Sequence, residues 1–195
     1  MTEIAPARGL VAALLPLAAL ALSACGGESD GGGAQPPADP APAASAKGLP
    51  KPLAENRAEA NQIIDGGTEA LDAKLAELEG HPVVVNQWGS WCPPCRAEFP
   101  FFAESADAHA DEVAFLGVDI QDDRAAAEAF LDELPVPYPS IYDQDAEAVA
   151  SIGWTQVSPT TWFFDERGEV VHQRPGAYPD RAALEADIQR FLLSG

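Results

Sequence analysis

The chain is 195 residues long and carries 11 Lys and Arg against 31 Asp and Glu, a formal net charge of −20. Hydrophobic residues at 47% and charged residues at 22% suit a globular protein, not a disordered one. So acidic a balance excludes a protein that neutralises nucleic-acid phosphates with clustered bases, or one that docks electrostatically on an anionic membrane. Three cysteines are too few for a disulfide-stapled scaffold. Only Arg8, Lys47 and Lys51, with Glu3, Glu28, Asp30 and Asp39, precede residue 53, so nearly all the acidity belongs to the part that folds.

Residues Leu10 to Leu22 form an apolar run of 13 residues after a short head containing Arg8. A bilayer span needs roughly 20 apolar residues, so this run has the length of a signal-peptide core instead. Leu22-Ser23-Ala24-Cys25 follows, and it resembles the bacterial lipoprotein signal, in which the Cys becomes the lipidated first residue. Plain secretory cleavage after Ala24 is the competing reading. The sequence therefore divides into a signal peptide over 1–24, a lipidated Cys25 with a tether over 25–52, and a folded domain over 53–195. The tether, rich in Gly, Pro, Ala and Ser and free of large apolar residues over 26–46, cannot bury enough surface to fold. As a flexible coil it reaches about 25 Å.

Within the domain, Thr68 is expected to cap a helix running to Glu79, with Leu71, Leu75 and Leu78 on one face and Gly80 stopping it. Val83-Val84-Val85 leading to Trp88 reads as a buried central strand. A helix follows from about Pro93, with Pro100 inside it as a kink. Val113 to Ile120 is a second buried strand, and Asp122 or Asp123 caps a helix reaching Leu134 before the PVPYP loop. Ala146 to Ile152 is a short helix closed by Gly153. Thr160–Phe164 and Glu169–Gln173 form a hairpin around 165–168, and Asp180 opens the last helix. Strands alternating with helices, then a hairpin, give a mixed α/β sheet with a parallel part.

The chemistry concentrates in Trp91-Cys92-Pro93-Pro94-Cys95, between the buried strand and the helix. A Cys-x-x-Cys pair at a helix start brings two sulfurs within bonding reach. The first thiol faces unpaired backbone N–H groups and the positive end of the macrodipole, which favour the attacking thiolate. Pro94 is tolerated in the first turn because its missing N–H would be unpaired there anyway. Cys92 would attack a partner disulfide, or be attacked in reverse, and Cys95 would resolve the mixed disulfide. A zinc site would need a second pair of ligands. Cys25 lies beyond the tether and His81, His109 and His172 show no paired spacing, so no metal is assigned. A purely structural disulfide would close only a tiny loop and stabilise little.

The segment VVVNQWGSWCPPCRAEFP over 83–100 resembles the active-site segment of the thioredoxin superfamily, and more narrowly that of the membrane-tethered TlpA/ResA-like thiol-disulfide oxidoreductases. SPTTWFFDERGEVVHQRPG over 158–176 is similar to the family's later cis-proline strand, hairpin and glycine. YPSIYD over 138–143 with the short helix after it fits the branch's central insertion. The resemblance covers roughly residues 60–195. It implies a thioredoxin-like fold, a central mixed β-sheet flanked by helices, and a cis peptide bond before Pro159. Ser158 beside that proline would offer backbone groups to an extended substrate strand.

The strand position where thioredoxins proper usually hold a buried acid is Asn86 here, which cannot take up a proton. Glu98, three residues beyond Cys95 on the adjoining helical surface, is the expected substitute, and ResA-like members carry a Glu at this place. Trp91 is expected to border the disulfide as a contact surface, while Trp88, Trp154 and Trp162 are expected in the core. The three histidines are expected at the surface, and Gln87 replaces the aromatic residue usual before Trp88.

The expectation is a lipid-anchored, extracytoplasmic oxidoreductase acting on protein dithiols and disulfides. It uses no cofactor, binds no nucleic acid, and draws on a transmembrane electron carrier as partner. The branch resemblance and Glu98 favour a reductant, often serving cytochrome c maturation in such families. An oxidant introducing disulfides into exported proteins is the alternative. A copper-handling thioredoxin-fold module would place three residues between its cysteines and use a distal His. A redoxin-type peroxidase would use a peroxidatic Cys in another local pattern.

Overall fold

The computed structural model describes residues 48–194. The expected signal peptide, Cys25 and most of the expected tether lie outside that range. A first helix, α1 (Lys51–Ala58), starts at the Lys51-Pro52 step, where Pro52 suits a first turn. A three-residue strand, β1 (Ile63–Asp65), leads to α2 (Gly67–Glu77). Thr68 does not cap this helix: Gly66, at φ 125°, occupies the cap position and no side chain bonds there. Then come β2 (Val83–Trp88), α3 (Pro93–Ala108) with Pro100 inside it, β3 (Ala114–Ile120) and α4 (Arg124–Glu133). Of the two candidate caps, Asp123 holds α4, accepting from the N–H groups of Ala125 and Ala126. The segment β4 (Ser140–Asp143) and α5 (Glu147–Ser151) separates α4 from the hairpin β5 (Thr160–Phe164) and β6 (Val170–Pro175). Asp180 caps α6 (Arg181–Ile188), accepting from Ala183 N–H, and a π-helical turn Gln189–Leu193 follows. Among the described residues no helix is long and apolar enough to cross a membrane.

The six strands form one sheet in the order β1-β4-β3-β2-β5-β6. β1, β4, β3 and β2 run parallel, and β5 and β6 add the antiparallel edge. The alternation of β2 sorts its side chains onto two faces. Val84 and Trp88 pack with Phe99 and Phe102 of α3, Phe130 of α4, and Leu184 and Ile188 of α6. Val83 and Val85 pack on the other side with Leu71 of α2, Val149 of α5 and Trp162. β2 and β3 are buried along their whole length, as expected of central strands covered on both faces.

Three strands meet tightly at Gly117 in β3. A Cβ there would lie 2.2 Å from Ser140 Oγ and 2.8 Å from Trp88 Nε1, so only glycine lets Trp88 donate to Ser140 across this point. Trp88 in turn stacks on Phe130 at 4.9 Å and meets Phe99 edge-on at 5.3 Å. Two expectations about side chains are corrected. Trp154 is only partly buried: it packs against the rim of the core from the loop before the hairpin, its indole donating to Val157 O. His109 is not a free surface residue: its side chain is 11% exposed and bonds Glu185, which also takes Ser105 Oγ–H.

Candidate active site

Cys92 and Cys95 are joined as a disulfide, with their Cα atoms 5.3 Å apart. β2 ends at Trp88, and Gly89 to Trp91 carry the chain over the sheet's edge to Cys92, the N-cap of the 16-residue α3. The backbone N–H of Cys95 donates to Cys92 Sγ at 3.3 Å. An unpaired helix donor therefore points at the sulfur that becomes a thiolate on reduction, and the macrodipole favours that negative charge. Pro93 and Pro94 fill the first helical positions, where no N–H is needed. The pair is well covered in this oxidised form: Cys92 is 2% exposed and Cys95 fully buried.

Glu98 is not on a helical surface. It is 0% exposed, turned inward from α3 between β2 and the loop after β6. Asn86 Nδ2–H donates to Oε1 at 2.9 Å, and the backbone N–H of Tyr178 donates to Oε2 at 2.8 Å. Burial pushes the carboxyl up to about 7, winning over those two hydrogen bonds and the charge of Arg174, which act in the opposite direction. Asn86 and Glu98 are thus one unit. The strand supplies a donor where a thioredoxin would supply an acid, and the acid arrives from the helix. A carboxyl poised near neutrality can both take and return a proton under ordinary conditions.

The Ser158–Pro159 peptide bond is cis. Pro159 is buried and Ser158 half-buried, and Pro159 O accepts from Gly176 N–H at 2.8 Å. That bond ties the proline to the loop carrying Tyr178, and through it to Glu98. Trp91 is 49% exposed, with its indole N–H donating to Ile120 O at 3.2 Å, and Trp88 is fully buried. Val157, next to Ser158 and 41% exposed, offers another apolar surface that sequence reading passes over. Asp122 is legible there only as a possible helix cap, and Tyr178 is not legible at all. Asp122 accepts from Ser90 Oγ at 2.8 Å and from Ser90 N, while Tyr178 enters by its backbone alone and leaves no side-chain signal. Gln87 is buried with neither amide atom partnered among the described residues.

The fold and this site define a thioredoxin-like protein with a Cys-x-x-Cys pair at a helix start and a buried carboxyl beneath it. A family profile described as Redoxin matches residues 37–188, and the chain belongs to that family. It is similar to the thiol:disulfide interchange protein DsbE of Pseudomonas aeruginosa, 38% identical over 111 residues, covering 56% of this chain and 59% of that one. It is also similar to the thiol-disulfide oxidoreductase ResA of Bacillus subtilis, 29% identical over 105 residues, 53% of this chain and 58% of that one. The chain therefore spans a little under three fifths of the length of these curated relatives. Among solved structures, a DsbF homologue from Corynebacterium diphtheriae matches with a TM-score of 0.55 and 28% identity, over 60% of this chain and 75% of that one.

Proposed function

We propose that the chain is a thiol–disulfide oxidoreductase acting on protein partners outside the cytoplasm, held to the membrane by a lipid on Cys25. The observation that carries the reading is the Cys92–Cys95 disulfide at the start of α3 with the buried Glu98 carboxyl one turn on. DsbE and ResA relatives bear the names of thiol–disulfide exchange proteins, which supports the same chemistry.

In the reductive direction the reduced pair begins as a Cys92 thiolate and a Cys95 thiol. The thiolate attacks one sulfur of a partner disulfide, forming a Cys92–partner bond and expelling the partner's other sulfur as thiolate. Cys95 then loses its proton and attacks Cys92 Sγ, which closes the Cys92–Cys95 disulfide and frees the partner's second sulfur. Two electrons pass to the partner, whose two sulfurs leave as thiolates and take up one proton from solvent and the one Cys95 released, returned by Glu98. Glu98 is the acceptor for the Cys95 proton, buried where water does not compete. Trp91 and Val157 provide apolar contact, and the backbone at Ser158 and Pro159 pairs with an extended partner segment.

The reductant direction is the reading adopted, with electrons supplied by a membrane carrier and cytochrome c maturation as the setting. The test is a Cys95→Ser variant expressed in the full-length chain, with mixed disulfides on Cys92 identified by mass. Capture of an apocytochrome or a transmembrane carrier supports the reductant. Capture of many unrelated exported proteins supports the oxidant, and a redox titration of the Cys92–Cys95 couple decides the direction independently.

A further inference from the structure

A second buried acid lies beneath the active-site loop and has no part in the exchange steps above. Asp119, in β3, is 0% exposed and stands opposite Trp88 in the sheet register. Among the described residues no N–H or O–H donates to either of its oxygens. An ionised carboxylate in such a place would be stripped of water with nothing returned. After burial itself, the group that bears most on it is another acid, Asp122. Asp122 already accepts three bonds, from Ser90 N, Ser90 Oγ and Asp123 N. Two neighbouring acids in so dry a place ionise together only at a high cost, so one keeps its proton, and the one with no donor of its own is Asp119.

What the pair holds is the segment leading into the disulfide. Ser90 is bound to Asp122 by both its backbone and its hydroxyl. Trp91 next to it is tied to Ile120 O, on the residue after Asp119. Its indole lies so close over Gly89 that a Cβ there would come within 2.6 Å of Nε1. The next residue is Cys92, 2% exposed.

We propose that Asp119 is a positioning residue for the redox site: protonated, it donates to Asp122 and fixes the carboxylate that clamps Ser90, keeping the Gly89–Trp91 segment closed over a covered disulfide. Loss of the proton sets two carboxylates side by side, loosens the clamp and exposes Cys92 to attack. The groups facing Asp119 are Asp122 in the loop after β3, Arg124 at the start of α4, and Asp143 and Tyr142 at the end of β4. Burial and Asp122 push the Asp119 carboxyl up to about 8; Arg124 opposes this and Asp143 adds to it. The clamp is therefore closed at neutral pH and opens on the alkaline side.

Reduction of the oxidised full-length protein by tris(2-carboxyethyl)phosphine reads disulfide access without any partner. It therefore stands or falls apart from the assignment of a physiological reaction. The rate is taken relative to that of an unstructured peptide disulfide, which cancels the reagent's own titration. The relative rate of the wild type is expected to rise about fivefold between pH 6 and 9.5, the effect of losing roughly one hydrogen bond. Asp119→Asn, whose amide N–H still donates to Asp122, is expected to stay at the low-pH rate throughout. Ser90→Ala, which keeps both acids and loses half the clamp, is expected to be fast already at pH 6. A flat wild-type profile overturns the proposal. So does an Asp119→Asn profile that keeps the wild-type rise, which assigns the rise to Glu98, and so does a Ser90→Ala rate at pH 6 equal to the wild type.

Discussion

Replacing Glu98 by Gln tests the buried carboxyl through stability before any substrate is involved. The carboxyl titrates near 4.5 in an unfolded chain and about 7 in the folded one, raised by burial. The sign follows from proton uptake. Below about pH 4.5 both states hold the proton and stability is unaffected. Between pH 4.5 and 7 the unfolded chain releases it while the folded chain keeps it, so each step up in pH favours unfolding. Above 7 the full cost is present, on the order of 3 kcal/mol at about 1.4 kcal/mol per pKa unit. Full burial means solvent does not screen this contribution. The glutamine of Glu98→Gln cannot titrate, though its NH2 group will face one of the two N–H donors now bonded to the carboxyl. That clash costs about 1–3 kcal/mol at every pH and shifts the level without changing the slope. The measurement is urea unfolding of both proteins with the Cys92–Cys95 disulfide intact, in half-unit steps from pH 4 to 8.5. With the sulfurs bonded neither cysteine titrates, and the contribution of Asp119 is common to both proteins. The wild type is expected to lose on the order of 3 kcal/mol more than Glu98→Gln between pH 4.5 and 7.5. Parallel curves would refute the reasoning.

Phe130→Ala removes the ring that stacks on Trp88, meets Phe99 edge-on at 4.8 Å and lies beneath the Arg96 guanidinium at 4.7 Å. It should cost about 3–5 kcal/mol in urea unfolding. Gly117→Ala places a methyl against Ser140 and Trp88. Overpacking of this kind should cost about 1–3 kcal/mol and alter the Trp88 fluorescence, whereas an unchanged midpoint would show that the strands part easily there. Trp91→Ala removes a half-exposed ring with one hydrogen bond. Stability should change by less than about 1 kcal/mol, while the KM for a disulfide-bearing peptide rises about tenfold with kcat little altered.

The parts of the fold with strong local signals are legible from residues alone. The run Val83 to Trp88, the Pro93 helix start, the hairpin flanking Gly168 and the Asp180 cap all occur where the sequence puts them, because apolar period, proline and capping chemistry act within a few residues. The cis bond before Pro159 is implied by family resemblance and is present. What escapes a reading of residues is set by tertiary contact. β1 is three residues long and exists through its pairing with β4, more than 70 residues on. α1 buries only Leu53 and Asn56, so its amphipathic pattern is faint. Glu98 reads as a helix-surface acid because sequence spacing does not reveal that Asn86 and the Tyr178 backbone supply donors for it. Asp119 does leave a trace, as the one charge in the strand Ala114–Ile120, although only the packing shows that no donor meets it.

Cys92 and Cys95 are unequal partners in disulfide exchange. That inequality is tested most directly by incubating Cys95→Ser and Cys92→Ser separately with a peptide disulfide and following the protein mass over time. A lasting adduct is expected on Cys92 in Cys95→Ser and none on Cys95 in Cys92→Ser, since Cys95 is fully buried and lies inside the helix while Cys92 caps it. Equal adducts on the two variants, or an adduct on Cys95 alone, would contradict it.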